Sequence, residues 1–444
     1  MAKALKIPKL KGDKAIWIVA ILLALVSMLA VYTAISAYAG RVYNNNTNLA
    51  LIHHLVTLVT ALVIMFVAYL VPSKLYCNLS SFLLILTIPL LILTLTKGKN
   101  VNDATRALEI SLGSKAITFQ TSEFAKVFLI NYLAAHLYFL RDKLDNIKVV
   151  IGWFFVPITI IVGLVMPPNM SMAVMILLDC LVLLFVGGVK MKHLLGFTGV
   201  CVLFAGLYIG YKLTLPAEKQ GRVGTWKARI ERYHADTDIE AEVAADSTNS
   251  KVAKYDPFDR HNYQQTCSKI AIASGGLFGK GAGHSDERNF LPHPYSDFIF
   301  AIILEEYGLL IGGVFILILY IIIMARGFKT LKNHPDTFGG LLVFGLAFMI
   351  VVQAFINMGV AVTLLPVTGQ PLPFISMGGS SLWAMGIAFG MMLSATRNLD
   401  KHNEKDAENE NEKEKQPKKE KPKQEEYIVT DENGEPLIVV RDEE

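Results

Sequence analysis

Asn289-Phe-Leu-Pro-His-Pro-Tyr-Ser-Asp-Phe-Ile-Phe300 marks the point where a long polar segment gives way to a long apolar one, with one carboxylate, Asp297, at the junction. From there to residue 324 the only charged side chains are Asp297, Glu305 and Glu306. An apolar run of that length is what the roughly 30 Å hydrocarbon core of a bilayer requires of a spanning helix. Read this way, 297–324 is a transmembrane helix that begins with an acid at the membrane surface. The pattern recurs at 15–38, 49–72, 79–96, 119–139, 149–166, 170–189, 194–213, 337–365 and 373–395. Each must be helical, because lipid offers backbone amides no other partner. The composition agrees. Of 444 residues 53% are hydrophobic and 18% charged, with a mean hydropathy of +0.43, which excludes a water-soluble globule. The expected fold is an all-α polytopic membrane protein of ten transmembrane helices, with a large extracytoplasmic loop, 214–296, between helices 7 and 8.

Orientation follows from the basic residues of the short loops. Lys3, Lys6, Lys9, Lys11, Lys14, Lys74, Arg141, Lys143, Lys148, Lys190, Lys192, Arg326, Lys329 and Lys332 fall on one side, against Arg41, Lys97, Lys99, Arg106 and Lys115 on the other. The basic segment 1–14 is therefore expected in the cytoplasm. An even number of spans returns the carboxyl terminus there, which places Asp297 at the outer face of the membrane. Ala37-Tyr38-Ala39 imitates a signal-peptidase site, but the apolar run before it exceeds the roughly 7–15 residues of a signal sequence, so the helix is expected to be retained. Cys77, Cys180, Cys201 and Cys267 show neither a disulfide framework nor metal-ligand spacing. A net charge of +4 is uninformative by itself, and no nucleic-acid partner is expected.

Outside the membrane domain 15–395 the composition changes. The tail 396–444 is dominated by Glu, Lys, Asn and Gln, and is expected to be a disordered cytoplasmic segment. Its end alternates Tyr427-Ile-Val-Thr430 with Leu437-Ile-Val-Val440, a strand-turn-strand pattern that is the alternative to disorder. In the outer loop, Lys219, Arg222, Lys227, Arg229 and Arg232 form a basic cluster suited to lipid phosphates or to plain solvation. Ile270 to Gly279 is apolar and glycine-rich, as expected of backbone packed at an interface.

Charges inside spans cost several kcal/mol and are functional candidates. Glu123 and Lys126, spaced i,i+3, either form a simple ion pair or share a polar cavity. Asp179, among apolar neighbours, is better explained by helix packing. Glu305 and Glu306, eight and nine residues past Asp297, should lie about 12–14 Å deeper at 1.5 Å per residue. Gln353 and Asn357 share a face of span nine, and the Pro- and Gly-rich segment 366–381 is irregular backbone that must be covered by protein or water. For Asp297 itself the plain alternative is a helix N-cap, a position that favours aspartate.

Several ordered motifs carry a resemblance. They are Gly275-Gly-Leu-Phe-Gly-Lys-Gly281, Leu291-Pro292 with Asp297-Phe-Ile-Phe-Ala301, Glu305-Glu-Tyr-Gly308, and Leu372-Pro-Phe-Ile-Ser-Met-Gly-Gly-Ser-Ser381. Together with Asn102-Asp-Ala-Thr-Arg106 and Phe119-Gln-Thr-Ser-Glu123, they make residues 15–395 resemble the SEDS family (shape, elongation, division and sporulation). Ala107, Thr121 and the stretch Pro167-Pro-Asn-Met-Ser171 depart from its usual pattern. Asn169 cannot ionise and is given no catalytic role.

The resemblance implies a peptidoglycan glycosyltransferase that polymerises lipid II and works with a class B penicillin-binding transpeptidase. Ser285-Asp-Glu-Arg-Asn-Phe-Leu-Pro292 and the charged tail resemble the FtsW-like division branch more than the RodA-like elongation branch. The division branch implies other division-complex proteins as partners and the septum as location, within membrane lipid. In the chemistry so implied, Asp297 is the catalytic base. Arg106 is the candidate clamp for the departing diphosphate, and Lys126 lines the same cavity and supplies the positive charge that keeps the base ionised, with Glu123, Ser376, Gly378, Gly379 and Ser380 lining the substrate site. A divalent cation could share the charge, although no carboxylate cluster specifies one. The rival reading from another class is a lipid II flippase using the same polar cavity.

Overall fold

The computed structural model describes residues 11–35, 46–101, 104–112, 115–216, 224, 263–334, 337–415, 425–430 and 436–441. Helices account for most of them: α1 (Lys14–Ala34), α2 (Thr47–Leu70), α3 (Ser73–Asn78), α4 (Ser80–Lys97), α5 (Thr121–Phe139), α6 (Ile147–Val165), α7 (Met170–Val186) and α8 (Met191–Leu213). After the loop come α9 (Tyr263–Gly275), α10 (Ile299–Tyr307), α11 (Phe315–Asn333, led in by the π-helical turn Gly308–Val314), α12 (Phe338–Ala361) and α13 (Gly379–Lys415).

Seven helical stretches among the described residues are long and apolar enough to cross a membrane. The other three expected spans fall on α5, α7 and α13. α5 carries Glu123 and Lys126, both buried by neighbouring helices, so its own sequence need not be uniformly apolar. α7 has 17 residues, and α13 begins only at Gly379, six residues later than expected.

Local signals set the helix starts. Asp13 accepts a hydrogen bond from Ala15 N at 2.9 Å to cap α1, and Thr337 accepts one from Gly340 N at 3.0 Å to cap α12. α12 is buried along most of its length and forms the centre of the bundle, packed on α5, α7 and α11. Between membrane helices lipid removes the hydrophobic driving force, so association depends on close van der Waals fit through small residues. Gly327 of α11 lies over Ala347 of α12, where an added Cβ would stand 2.8 Å from the alanine methyl. On the N-terminal face, Asp13 pairs with Arg326 of α11 at 2.5 Å, and Tyr69 donates to Lys11 O at 3.0 Å. The start of α1, the end of α2 and the end of α11 therefore share one side of the membrane.

The expected single span at 297–324 is corrected. As one helix, Ile299–Asn333 would have 35 residues and reach about 52 Å, far beyond the hydrocarbon core. Instead the chain reverses at Gly308, whose φ of +71° and ψ of 176° end α10. A Cβ placed on Gly312 would stand 2.9 Å from Ile303 O, and one on Gly313 would stand 2.7 Å from Leu304 Cδ2. Residues nine apart in one helix are separated by about 13 Å along its axis. α10 is therefore a re-entrant half-helix laid antiparallel against the start of the true span, 308–333.

This reversal overturns the expected depths. α11 runs from the face opposite the N-terminus towards Arg326, so α10 runs outward, with Glu305 and Glu306 near the rim. Asp297 stands just before its inner end, bonded to Asn357 about one turn from the end of α12.

Two small sheets accompany the helices. β1 (Lys99–Val101), β2 (Ala104–Leu112) and β3 (Lys115–Phe119) form an antiparallel meander between α4 and α5, with Leu108 opposite Phe119. A second compact unit, Leu399–Glu444, holds the last turns of α13, rich in the helix formers Glu, Lys and Ala, and a hairpin. Its strands, β4 (Glu425–Thr430) and β5 (Pro436–Arg441), place Tyr427 opposite Val439. The basic cluster 219–232, apart from Gly224, lies outside the described residues.

Candidate functional site

Asp297 does not cap α10. The N-cap is Phe298, whose own side chain makes no capping bond, so Asp297 stands one residue before the cap position. The carboxylate is instead half-buried and points along an irregular loop. Ser296 Oγ donates to Asp297 Oδ1 at 2.9 Å, and Gly369 lies so close that an added Cβ would stand 3.5 Å from Oδ2. Asp297 O accepts from Asn357 Nδ2 of α12 at 2.8 Å.

The preceding peptides are held as tightly. Ser376 Oγ donates to Ser296 O at 2.7 Å and accepts from Leu372 N at 2.7 Å, while Met377 N donates to Tyr295 O at 2.9 Å. Tyr320 of α11 donates to Pro373 O at 2.6 Å. The irregular segment 362–378 is thus tolerated at membrane depth because helices supply its hydrogen bonds.

A second polar cluster meets the same loop from the other side. Glu123 and Lys126, each 1% exposed, pair at 2.6 Å. Lys126 Nζ also donates to Gln353 Oε1 at 2.5 Å. Gln353 Nε2 passes the contact to Pro371 O at 2.9 Å, and Asn357 Nδ2 donates to Gln370 O at 2.8 Å. Gln370 Nε2 in turn reaches Asn169 Oδ1 at 3.3 Å. Asn169 caps α7 and helps to line a small cleft with Thr94, Thr121 and Ser122. Lys126 and Asp297 are therefore joined through Gln353, the 370–371 backbone and Asn357.

The remaining candidates divide. Ser380 accepts from Gln120 N at 3.1 Å, which ties α13 to the start of α5, and Gly378 and Gly379 form the turn into α13. Arg106 lies on β2, with its side chain outside the described residues. Asp179 is buried on α7, and its Oδ1 has no hydrogen-bond partner among the described residues. Ser296 and Gln370 were not singled out from sequence. Neutral polar residues in a loop carry no periodicity, and only the contact with Asp297 and Asn169 reveals them.

At the rim, Glu305, fully buried, receives Lys280 Nζ at 2.8 Å, Ser285 Oγ at 2.5 Å and Asp286 N at 3.0 Å, while Glu306 Oε1 receives Gly283 N at 2.9 Å. The backbone doubles the clasp through Lys280 N to Glu305 O and Gly281 N to Glu306 O, both 2.9 Å. Bonds to Glu305 and Asp286 raise the pKa of Lys280, and the ammonium beside Asp286 lowers that of its carboxyl. Among the described residues no group of three or more His, Cys, Asp or Glu is placed to hold a metal ion.

Comparison with known proteins agrees with this architecture. The FtsW/RodA/SpoVE family model, described as cell cycle protein, matches residues 13–401. Stage V sporulation protein E of Bacillus subtilis is 31% identical over 395 residues, which cover 88% of this chain and 98% of that protein. The probable peptidoglycan glycosyltransferase FtsW of Coxiella burnetii is 31% identical over 77% of this chain and 85% of its own. The peptidoglycan glycosyltransferase MrdB of Escherichia coli K12 is 30% identical over 75% and 82%.

Among solved structures, a chain of a peptidoglycan synthase complex that coordinates polymerisation and crosslinking superposes with a TM-score of 0.62 at 23% identity, covering 87% of this chain and 98% of that one. The rod shape determining protein RodA of Thermus thermophilus gives 0.56 at 24% identity, over 88% and 98%. With the family model spanning nearly the whole membrane domain, this multi-pass membrane protein belongs to the FtsW/RodA/SpoVE family of cell cycle proteins.

Proposed function

We propose that the chain is a peptidoglycan glycosyltransferase that polymerises lipid II at the outer face of the cytoplasmic membrane, with Asp297 as its base. The observation that carries this reading is the placement of Asp297, a half-buried carboxylate just before the inner end of a re-entrant helix, held by Ser296, Asn357 and Ser376. Relatives named peptidoglycan glycosyltransferase, at 30–31% identity, support the reaction class.

In the reaction, Asp297 takes the proton from the 4-hydroxyl of one sugar as its oxygen bonds to the anomeric carbon of another. The bond from that carbon to the diphosphate breaks, and the electron pair leaves with the phosphate. A diphosphate is a good enough leaving group to need no acid, but its growing charge needs cations. Arg106, whose forked donors match phosphate oxygens, is assigned that task. Lys126, held by Glu123 and Gln353, supplies positive charge within the network that ends at Asp297.

The partner is a class B penicillin-binding transpeptidase, in keeping with the peptidoglycan synthase complex among the structural neighbours. The charged tail and the loop sequence 285–292 favour the division branch, with the septum as location. The test is to supply the purified protein and a class B transpeptidase with lipid II. Glycan strands are expected; movement of lipid II across vesicles without strand formation would replace the enzyme by a flippase.

A further inference from the structure

Ser27 of α1 and His54 of α2 are 0% and 1% exposed and lie with Ser27 Oγ 3.1 Å from His54 Nε2. Ser27 Oγ is also 2.7 Å from Ile375 O. A hydroxyl has one proton and a carbonyl oxygen only accepts, so that proton lies on Ile375. The contact with His54 then requires an N–H from the ring. Hydrogen-bond accounting therefore places a ring proton on Nε2, while Nδ1 is buried with no hydrogen-bond partner among the described residues.

Two polar side chains buried between apolar helices are costly unless their hydrogen bonds are needed. What they hold is one carbonyl of the irregular loop. The next residue, Ser376, donates to Ser296 O at 2.7 Å, and Ser296 both precedes Asp297 and bonds its carboxylate. The path from His54 through Ser27, Ile375 and Ser376 ends one peptide from the proposed base.

We infer that Ser27 and His54 are positioning residues for Asp297, fixing the 375–376 backbone so that the carboxylate meets the sugar hydroxyl. The inference rests on the reading of Asp297 as the base. Nothing in it requires either residue to touch substrate. Their loss acts on turnover and leaves substrate binding unchanged.

The experiment is a lipid II polymerisation assay of the full chain with a class B transpeptidase, with KM and turnover measured separately and a thermal midpoint recorded for each variant. Ser27→Ala and His54→Asn are expected to lower turnover about 10- to 100-fold at unchanged KM, the size of effect that a small misplacement of a reacting group produces. His54→Gln, whose amide N–H reaches the place of Nε2, keeps most of the turnover. His54→Asn, whose shorter amide overlays Nδ1, does not. The double variant Ser27→Ala/His54→Asn is no slower than the slower single variant, since both break one path.

Equal behaviour of the Gln and Asn variants overturns the inference, as does a defect confined to KM. If His54→Asn fails to accumulate, Ser27→Ala, which removes one oxygen, decides the matter, and full turnover there overturns the inference. Absence of polymer from the wild type contradicts the enzymatic reading beneath it; wild-type polymer with unimpaired Ser27→Ala contradicts this inference alone.

Discussion

Gly308→Ala tests the re-entrant hairpin that places Asp297. Gly308 combines φ +71° with ψ 176°, a region open almost exclusively to glycine, and forcing another residue there costs about 1–3 kcal/mol. The new Cβ would also stand 2.4 Å from Leu277 O and 2.5 Å from Gly279 N. Both are backbone atoms, so no rotamer change relieves the overlap, and overpacking of this kind adds about 1–3 kcal/mol. The sum, about 2–6 kcal/mol, is large beside the usual margin of stability.

Gly276→Ala is the control. Its φ of +56° also strains an alanine, at about 1–2 kcal/mol, but its Cβ would meet nothing within 4 Å. Thermal unfolding in detergent should show Gly308→Ala well below wild type and Gly276→Ala only slightly below. Strand synthesis by Gly308→Ala should fall as well, because the turn fixes one end of α10 and Asp297 stands just before the other. If the two variants unfold together and polymerise equally, residues 299–333 do not reverse at Gly308 and the placement of Asp297 is wrong.

Three further outcomes follow from the same contacts. Lys126→Ala strands the buried charge of Glu123 and should cost about 3–5 kcal/mol in thermal unfolding, with Glu123→Ala/Lys126→Ala less damaged than the single variant; additive losses would contradict a coupled pair. Glu305→Ala leaves the donors of Lys280, Ser285 and Asp286 without their acceptor, so limited proteolysis should open residues 276–290 while the membrane helices stay folded; unchanged resistance would contradict the clasp. The clasp also has a pH window. Asp286, with its pKa lowered, contributes above its unfolded pKa and is lost as pH falls through the folded value. Lys280, with its pKa raised, contributes below its unfolded pKa and is lost as pH rises through the folded value. Hydrogen-exchange protection of 276–290 should therefore be flat across neutral pH and fall on the acid and strongly alkaline sides. A transition centred at about pH 7 would contradict the assignment.

The membrane helices were legible because long apolar runs report burial in lipid directly, and every expected span except 297–324, which covers two helices, falls on one helix to within a few residues at most ends. Direction was not legible. The run from Ile299 to Met324 is apolar except for Glu305 and Glu306, and hydropathy does not report direction; the reversal depends on the backbone angles of Gly308.

Gln353 and Asn357 could be paired from their i,i+4 spacing, since that spacing fixes a shared face, and both meet the 370–371 loop. The meander at 99–119 had a signal that span-length reading passed over. Leu108, Ile110 and Leu112 alternate with Ala107, Glu109 and Ser111, the period of a strand. Ser27, His54 and Gln370 were beyond reach, because their side-chain partners lie 27 or more residues away in the chain and no local pattern announces them.

The central claim is that Asp297 removes a proton from the acceptor sugar, and comparison of wild type with Asp297→Asn in glycan polymerisation from lipid II tests it most directly. Asparagine keeps the size and the Ser296 contact but cannot take a proton, so the variant should insert, unfold at the wild-type temperature, bind its transpeptidase and make no strand. Strands made by Asp297→Asn at the wild-type rate would show that the base is elsewhere.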